Sequence, residues 1–262
     1  MRNIKLYMKF ISQYLKILMQ SKTDFLLGII GFISTQIFSI ISLLIVFSNI
    51  SELNGWNINE VLFLYGYFLI PKGLDHLFTD NLWTIAWFQV KTGSFDRYLL
   101  RPAGVLFQII AEKIQFDGLG EFILGIVIVC KVIISQGVTF GINKLFMLIP
   151  LCIISAIIFS SLKLIFTSFA FFMKESGEIV EMLYLIGDFS KYPISIYPRI
   201  IKNLLVYVLP FAWVSYYPVC YLLDKGVGME VLIQEVITMA IVVCVSGLIF
   251  KFGVKSYESA GN

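Results

Sequence analysis

The sequence predicts an all-α polytopic membrane protein with six transmembrane helices. Two observations carry that class. Of 262 residues, 58% are hydrophobic and only 14% charged, where a soluble domain averages about 25% charged. Mean hydropathy is +0.87, and the apolar residues gather in long runs. A helix needs ~20 such residues to cross ~30 Å of hydrocarbon. The net charge of +3 is small and the basic residues are dispersed between apolar runs. No basic stripe forms, so nucleic acid is not an expected partner.

Residues 1–24 differ in pattern from the apolar runs after them. Tyr7, Phe10, Ile11, Tyr14, Leu15 and Leu18 recur at steps of three and four, while Lys5, Lys9 and Lys16 fall near the other side of a helical wheel. This spacing predicts an amphipathic helix lying in the membrane interface. The alternative is a cytosolic helix packed on a partner. No secretory leader is expected, because no small-residue cleavage site comes after a short apolar core.

Six spans are predicted over residues 25–47, 58–80, 105–134, 144–173, part of 179–223, and 231–250. Span two is polar in its last turns. The fifth is the least regular. Pro193, Pro198, Pro210 and Pro218 break its region into short helices, since proline removes a donor and disfavours helix at the residue before it. One reading makes 179–192 a short or tilted fifth span and 193–224 an outer re-entrant region. The other makes 200–223 the span, after an interfacial helix. Tyr192, Tyr197, Tyr207, Trp213, Tyr216, Tyr217 and Tyr221 suit interfacial depth.

Orientation comes from the cations. With the N-terminus inside, cytoplasmic segments hold eleven Lys and Arg residues, among them Lys91, Arg97, Arg101, Lys174, Lys251 and Lys255. The outer segments and flanks hold six: Lys131, Lys144, Lys191, Arg199, Lys202 and Lys225. That bias predicts cytoplasmic N- and C-termini and an even number of spans.

Charges inside the spans are the candidate functional residues. Lys72, His76 and Asp80 recur at i, i+4, i+8 near the inner end of span two, with Asp75 beside them. The plain expectation is a helix end that reaches the cytosol with a wet face. Glu112, Lys113, Asp117 and Glu121 open span three, with Lys113 and Asp117 at an ion-pair spacing. Lys163 stands alone in span four. Asp117 and Glu121 are its expected partners, and structural pairing is favoured over an ion path.

Several chemistries are absent from the sequence. A single histidine excludes a multi-histidine metal site. Cys130, Cys152, Cys220 and Cys244 are scattered and read as packing residues. There is no G-x-x-x-x-G-K-[ST] phosphate loop and no nucleophile–base constellation. No catalytic role and no bound cofactor are expected.

The most distinctive block is Lys91 to Pro102, K-T-G-S-F-D-R-Y-L-L-R-P. Each charge at the bilayer centre costs ~2.5–3.5 kcal/mol, so this block lies outside the hydrocarbon, and its cations place it in the cytoplasm. Gly93, Asp96, Arg97, Tyr98, Leu99, Leu100, Arg101, Pro102, Leu106, Phe107 and Gln108 form a string, G-x-x-D-R-Y-L-L-R-P-x-x-x-L-F-Q, that resembles the permease subunits of a bacterial branch of type-2 ABC transporters, exporters with six spans per subunit. The later Pro210-Phe211-Ala212 and Tyr216-Tyr217-Pro218 segment is similar to the same branch.

The resemblance implies a single six-span permease domain over 25–262, with a cytoplasmic coupling loop at about 81–104. Its coupling helix, about 81–91, would dock in a separate ATPase subunit through Trp83, Trp87 and Phe88. Gly93 would end that helix, Arg97 and Arg101 would pair with acids or lipid phosphates, and Pro102 would open span three at its first turn. The alternative for the aromatics is an interfacial anchor. The implied partners are two ATPase subunits, which would bind ATP and Mg, a second permease, identical or related, and membrane lipid. The implied site is the bacterial plasma membrane, and the implied activity is export of an amphiphilic or hydrophobic substrate. Alternatives to this function are an ion-coupled secondary transporter, which would want inverted repeats and midplane carboxylates, and a membrane scaffold or immunity protein.

Overall fold

A computed structural model describes residues 22–116, 118–135 and 141–259, and the described chain is all-α. The N-terminal amphipathic helix expected over 1–24 lies outside the described residues except for positions 22–24, which open α1, and the expected charge at Asp117 lies outside them too. The long helices are α1 (Lys22–Asn49), α2 (Ile58–Thr79), α4 (Gly118–Ser135), α5 (Ile142–Ser168) and α8 (Glu230–Ser256). Shorter ones are α3 (Val105–Glu112), α6 (Gly177–Gly187) and α7 (Tyr216–Leu222).

Among the described residues, four helices are long and apolar enough to cross a membrane: Leu26–Asn49, Gly118–Ser135, Asn143–Met173 and Glu230–Ser256. A bent pair, Arg199–Val208 and Phe211–Leu222, meets at 75° and would make a fifth as one span. Composition thus supports four or five spans, against the six expected. The shortfall is at α2, which is 22 residues long but carries Glu60, Lys72 and Asp75.

α2 is the central helix, and its residues Phe63 to Lys72 are all buried. A capping box sets its start. Asn57 Oδ1 accepts from the Asn59 and Glu60 amides, both at 3.0 Å, and Glu60 returns a carboxylate to the Asn57 amide at 2.9 Å. α4 packs along α2 with almost no side-chain spacer. A Cβ on Gly73 would sit 2.6 Å from the Phe122 amide nitrogen, and one on Gly125 would sit 2.8 Å from the Gly66 carbonyl oxygen. Small residues that let backbones touch are how helices associate in lipid, where apolar burial alone gives no drive. α5 packs on the other side of α2, and α8 packs on α5. α1 stays mostly exposed, as a lipid-facing helix should be. Its hydroxyls bond back to their own helix, Thr35 to Gly31 O and Ser42 to Phe38 O.

Two expectations are corrected. The third span is not one helix from 105 to 134. α3 stops at Glu112, Lys113 is extended, and α4 restarts at Gly118. The charges Glu112 and Lys113 fall at this break, so the i, i+4 spacing of Lys113 and Asp117 does not lie on a continuous helix. Nor does Pro102 occupy a first helical turn: α3 begins at Val105 with Gly104 as its N-cap, and Pro102 lies in the bend before it.

The irregular region resolves into a traceable path. α6 runs into a 3-10 turn, Asp188–Lys191, and a second, Ile194–Ile196. Its start is tied to the Leu82–Gln89 end of the bundle, where the Ser176 amide donates to Ala86 O at 2.9 Å. Its far end is tied to the opposite loop, where Asn54 Nδ2 donates to Ser195 O at 2.8 Å. The bent pair comes next. It returns to that same loop, with Lys225 Nζ 2.9 Å from both Gly55 O and Glu60 Oε1. Both limbs of the bent pair therefore begin and end at one end of the bundle. The C-terminal end of α8 lies at the other end, where Phe250 joins Leu82, Phe95 and Tyr98 in one apolar cluster.

Candidate functional site

Two groups of residues stand out: a buried charge network around α2 and a polar-apolar face at the Leu82–Leu100 end. The network begins with what α2 must do. A helix buried on all sides cannot leave Lys72, Asp75 and His76 unpaired, because a buried unpaired charge costs several kcal/mol. α4 supplies one partner. Glu121, buried, has Oε1 3.6 Å from Lys72 Nζ and Oε2 2.8 Å from His76 Nδ1. Gln36 of α1 donates to Glu121 Oε1 at 2.9 Å and accepts from Tyr65 OH at 2.5 Å. Lys72 also reaches Asp188 at 3.2 Å, which Lys191 holds at 2.8 Å.

α5 supplies the other partner. Lys163, fully buried, lies 2.7 Å from Asp75 and 3.4 Å from Asp80. Asp75 also accepts from Thr79 at 2.6 Å, Ser160 at 2.8 Å and Tyr184 at 2.7 Å, so its carboxylate is fully bonded. The Tyr184 ring joins the two halves. It stacks on His76 at 5.5 Å and lies 5.4 Å from the Lys163 ammonium and 6.0 Å from that of Lys72.

The expected partnership of Lys163 with Asp117 or Glu121 is therefore corrected for Glu121. Both residues are paired, but not to each other. α2 stands between α4 and α5, so the acid of one and the lysine of the other each meet α2 first. The wet face expected for Lys72, His76 and Asp80 is also corrected: Lys72 is buried and Asp75 fully so. Lys191, counted among the outer cations, belongs to this buried network. Gln36, Tyr184 and Asp188 were not singled out from the sequence. Each sits in an ordinary-looking run, and only the fold brings them to α2.

At the other site, Leu82–Thr84 continues into a π-helical turn, Ile85–Gln89. Gly93 lies just beyond, with φ of +72°, a conformation that favours glycine. The aromatics divide. Trp83 packs on Tyr184 at 5.4 Å. Trp87 lies against Gly177, where an added Cβ would run into its ring. Phe88 alone of the three points outward, 63% exposed, near exposed Leu99 and Leu100 in sequence.

The cations also divide. Arg97 Nη2 is 3.0 Å from Glu112, within the chain. Arg101 and Pro102 are exposed. Asp96 accepts from Ser259 Oγ at 2.6 Å. Beneath them Tyr98 is buried and donates to Glu112, while Gln89 and Arg97 donate to its oxygen at 3.1 and 2.8 Å. Burial first, and then the Glu112 carboxylate it bonds, hold the Tyr98 hydroxyl above the usual phenol range, so it stays a donor. Phe95 seals the base against Phe171 and Tyr257 at 4.9 and 5.0 Å. This is a stiff platform that presents Phe88 and Arg101. No group of His, Cys, Asp and Glu among the described residues could hold a metal ion.

An apolar cavity of about 530 Å³ lies between α2, α5 and α8, lined by Leu74, Phe78, Leu106, Ile157 and Val243 among others. Residues 33–261 match the model of a family described as ABC-2 family transporter protein. No curated protein matches the chain.

Proposed function

The chain belongs to the ABC-2 transporter family, a membrane subunit that works with an ABC ATPase, and from that premise we propose that it is the permease of an ATP-driven exporter. The observation that carries the reading is the platform at the Leu82–Leu100 end. It is built from the string that resembles the coupling loop of such permeases. It is braced from within by Tyr98, Glu112 and Phe95, and it exposes one large aromatic, Phe88. A rigid surface with an outward anchor is what transmits a push from a partner.

In this reading α1, α2, α4, α5, the α6 segment and α8 are six crossings. The bent pair is a re-entrant hairpin on the outer side, and both termini are cytoplasmic in the bacterial plasma membrane. The loop at 81–104 docks on the ATPase, with Phe88 in its cleft and Arg101 toward acids or lipid phosphates. Two ATPase subunits bind and hydrolyse ATP with Mg, and this chain is not itself an enzyme. A second permease, identical or related, completes the path. The buried network makes α2 a lever. Pushing the loop moves α2, and α2 carries α4 and α5 with it through Glu121 and Lys163. The cargo is amphiphilic or hydrophobic, consistent with an interior whose cavities are apolar.

Phe88→Asp tests the docking surface. Burying a phenylalanine contributes ~1.5–3 kcal/mol, so the variant should weaken ATPase co-purification by roughly 10- to 150-fold and lower transport-linked ATP turnover. Membrane insertion and thermal midpoint should be unchanged, since Phe88 is exposed. Normal co-purification would place docking elsewhere.

A further inference from the structure

Glu235 is not part of the network around α2, and its surroundings are different in kind. It lies in α8, the last long helix, and is fully buried. Its Oε1 accepts from Ser155 Oγ of α5 at 3.2 Å. Ser155 Oγ is in turn 3.2 Å from Tyr67 OH of α2. Oε2 is buried with no hydrogen-bond partner among the described residues. Among the described residues no lysine, arginine or histidine ion-pairs with it.

The titratable groups that face it are a phenol and a thiol, Tyr67 from α2 and Cys152 from α5. α7 and the short helix Ala170–Met173, which also pack on α8, contain no charged residue. Ser155 is at the midpoint of α5, thirteen residues from either end, and Glu235 is the sixth residue of α8. The Glu235 side chain is closed off from the surface, and it does not line the cavities bounded by Ile157, by Trp213 or by Ile33.

The contrast with Asp75 is direct. Both carboxyls are fully buried. Asp75 has a lysine and three hydroxyls around it. Glu235 has one hydroxyl and an open oxygen. An ionised Asp75 is compensated, whereas an ionised Glu235 would be an uncompensated charge in an apolar bundle. A protonated Glu235 removes the charge and still accepts from Ser155.

We propose that Glu235, Ser155 and Tyr67 form a buried proton-binding site joining α8, α5 and α2, in which Glu235 is carried as the neutral acid. One carboxyl and two hydroxyls are too few oxygens to hold a metal cation, so the proton is the ligand. Tyr67 donates to Ser155 and Ser155 to Glu235, which ties the three helices through one acid. Separation of α8 from α5 wets the carboxyl, which then loses its proton to water and becomes a carboxylate. Helix separation and release of one proton are thereby linked. This does not depend on which partner drives the motion.

Infrared spectra of the purified chain in lipid at neutral pH test it, comparing wild type with Glu235→Gln and Ser155→Ala. The expected result is a carboxylic-acid carbonyl band in wild type, absent in E235Q and shifted in S155A, with E235Q as thermally stable as wild type. An acid band unchanged in E235Q, or a carboxylate band lost in it, overturns the proposal. Should E235Q not fold, the other two proteins decide: an acid band that shifts in S155A supports the site, and no acid band in wild type, or one unmoved by S155A, overturns it.

Discussion

Lys163→Met is expected to lower stability by about 3–5 kcal/mol, the cost of breaking a buried ion pair from one side. Lys163 is fully buried and is the cation of Asp75, at 2.7 Å, with Asp80 at 3.4 Å. Methionine fills much the same volume, so a packing void does not explain the loss. What remains is Asp75, also fully buried, with three hydroxyl donors but without its lysine. Removing the acid together with the lysine should recover much of the loss. Lys163→Met with Asp75→Asn is expected to be clearly more stable than Lys163→Met alone. Asp80→Asn alone should cost little, because Asp80 is part-exposed and the weaker partner. The thermal midpoint of the purified protein, followed by size-exclusion chromatography, reads all three. A single Lys163→Met variant with an unchanged midpoint would remove the pair from the account.

Gly73→Leu and Gly125→Leu are expected to abolish the folded protein. A Cβ at Gly73 would meet the Phe122 amide nitrogen at 2.6 Å, and one at Gly125 would meet Gly66 O at 2.8 Å and the Ile70 amide nitrogen at 3.0 Å. These are backbone atoms of a facing helix, so no rotamer change relieves them. Overpacking within a side-chain core costs typically 1–3 kcal/mol. Here the helices must part as well, and parting takes Glu121 from Lys72 and His76, two buried polar contacts at 3.6 and 2.8 Å. Gly247→Ala is the control. Gly247 sits within α8 with nothing near its would-be Cβ, so alanine should be neutral or stabilising by about 0.5–1 kcal/mol. Normal yield of a monodisperse Gly73→Leu protein would show that α2 and α4 do not touch as described.

The long apolar helices α1, α4, α5 and α8 were legible because a hydrophobic run of span length has few other uses. The Lys91–Pro102 block was legible because charge has no place in lipid. Gly93, four residues past the Ile85–Gln89 turn, has a φ of +72°, a conformation that favours glycine. Partners inside the bundle were not legible. Glu121 and Lys163 looked suited to each other because both are lone charges at similar depth, but depth says nothing of which helix lies between. α2 does, and its own Lys72, Asp75 and His76 take up both. The same omission made that face look wet. The break after Glu112 was hidden because the residues on either side are apolar enough to read as one run. The seven-residue spacing of Gly66 with Gly73 and of Gly118 with Gly125 was present in the sequence. It became meaningful only when the two pairs were found facing each other.

In the proposed function the chain is driven by a separate ATPase subunit. Affinity purification of the tagged, full-length chain from its own membrane in mild detergent, with mass identification of what accompanies it, tests that most directly. The expected result is an ATPase subunit bearing a phosphate loop in stoichiometric amount with wild type, and strongly reduced with Phe88→Asp. A folded, monodisperse chain that purifies without any such subunit would contradict it.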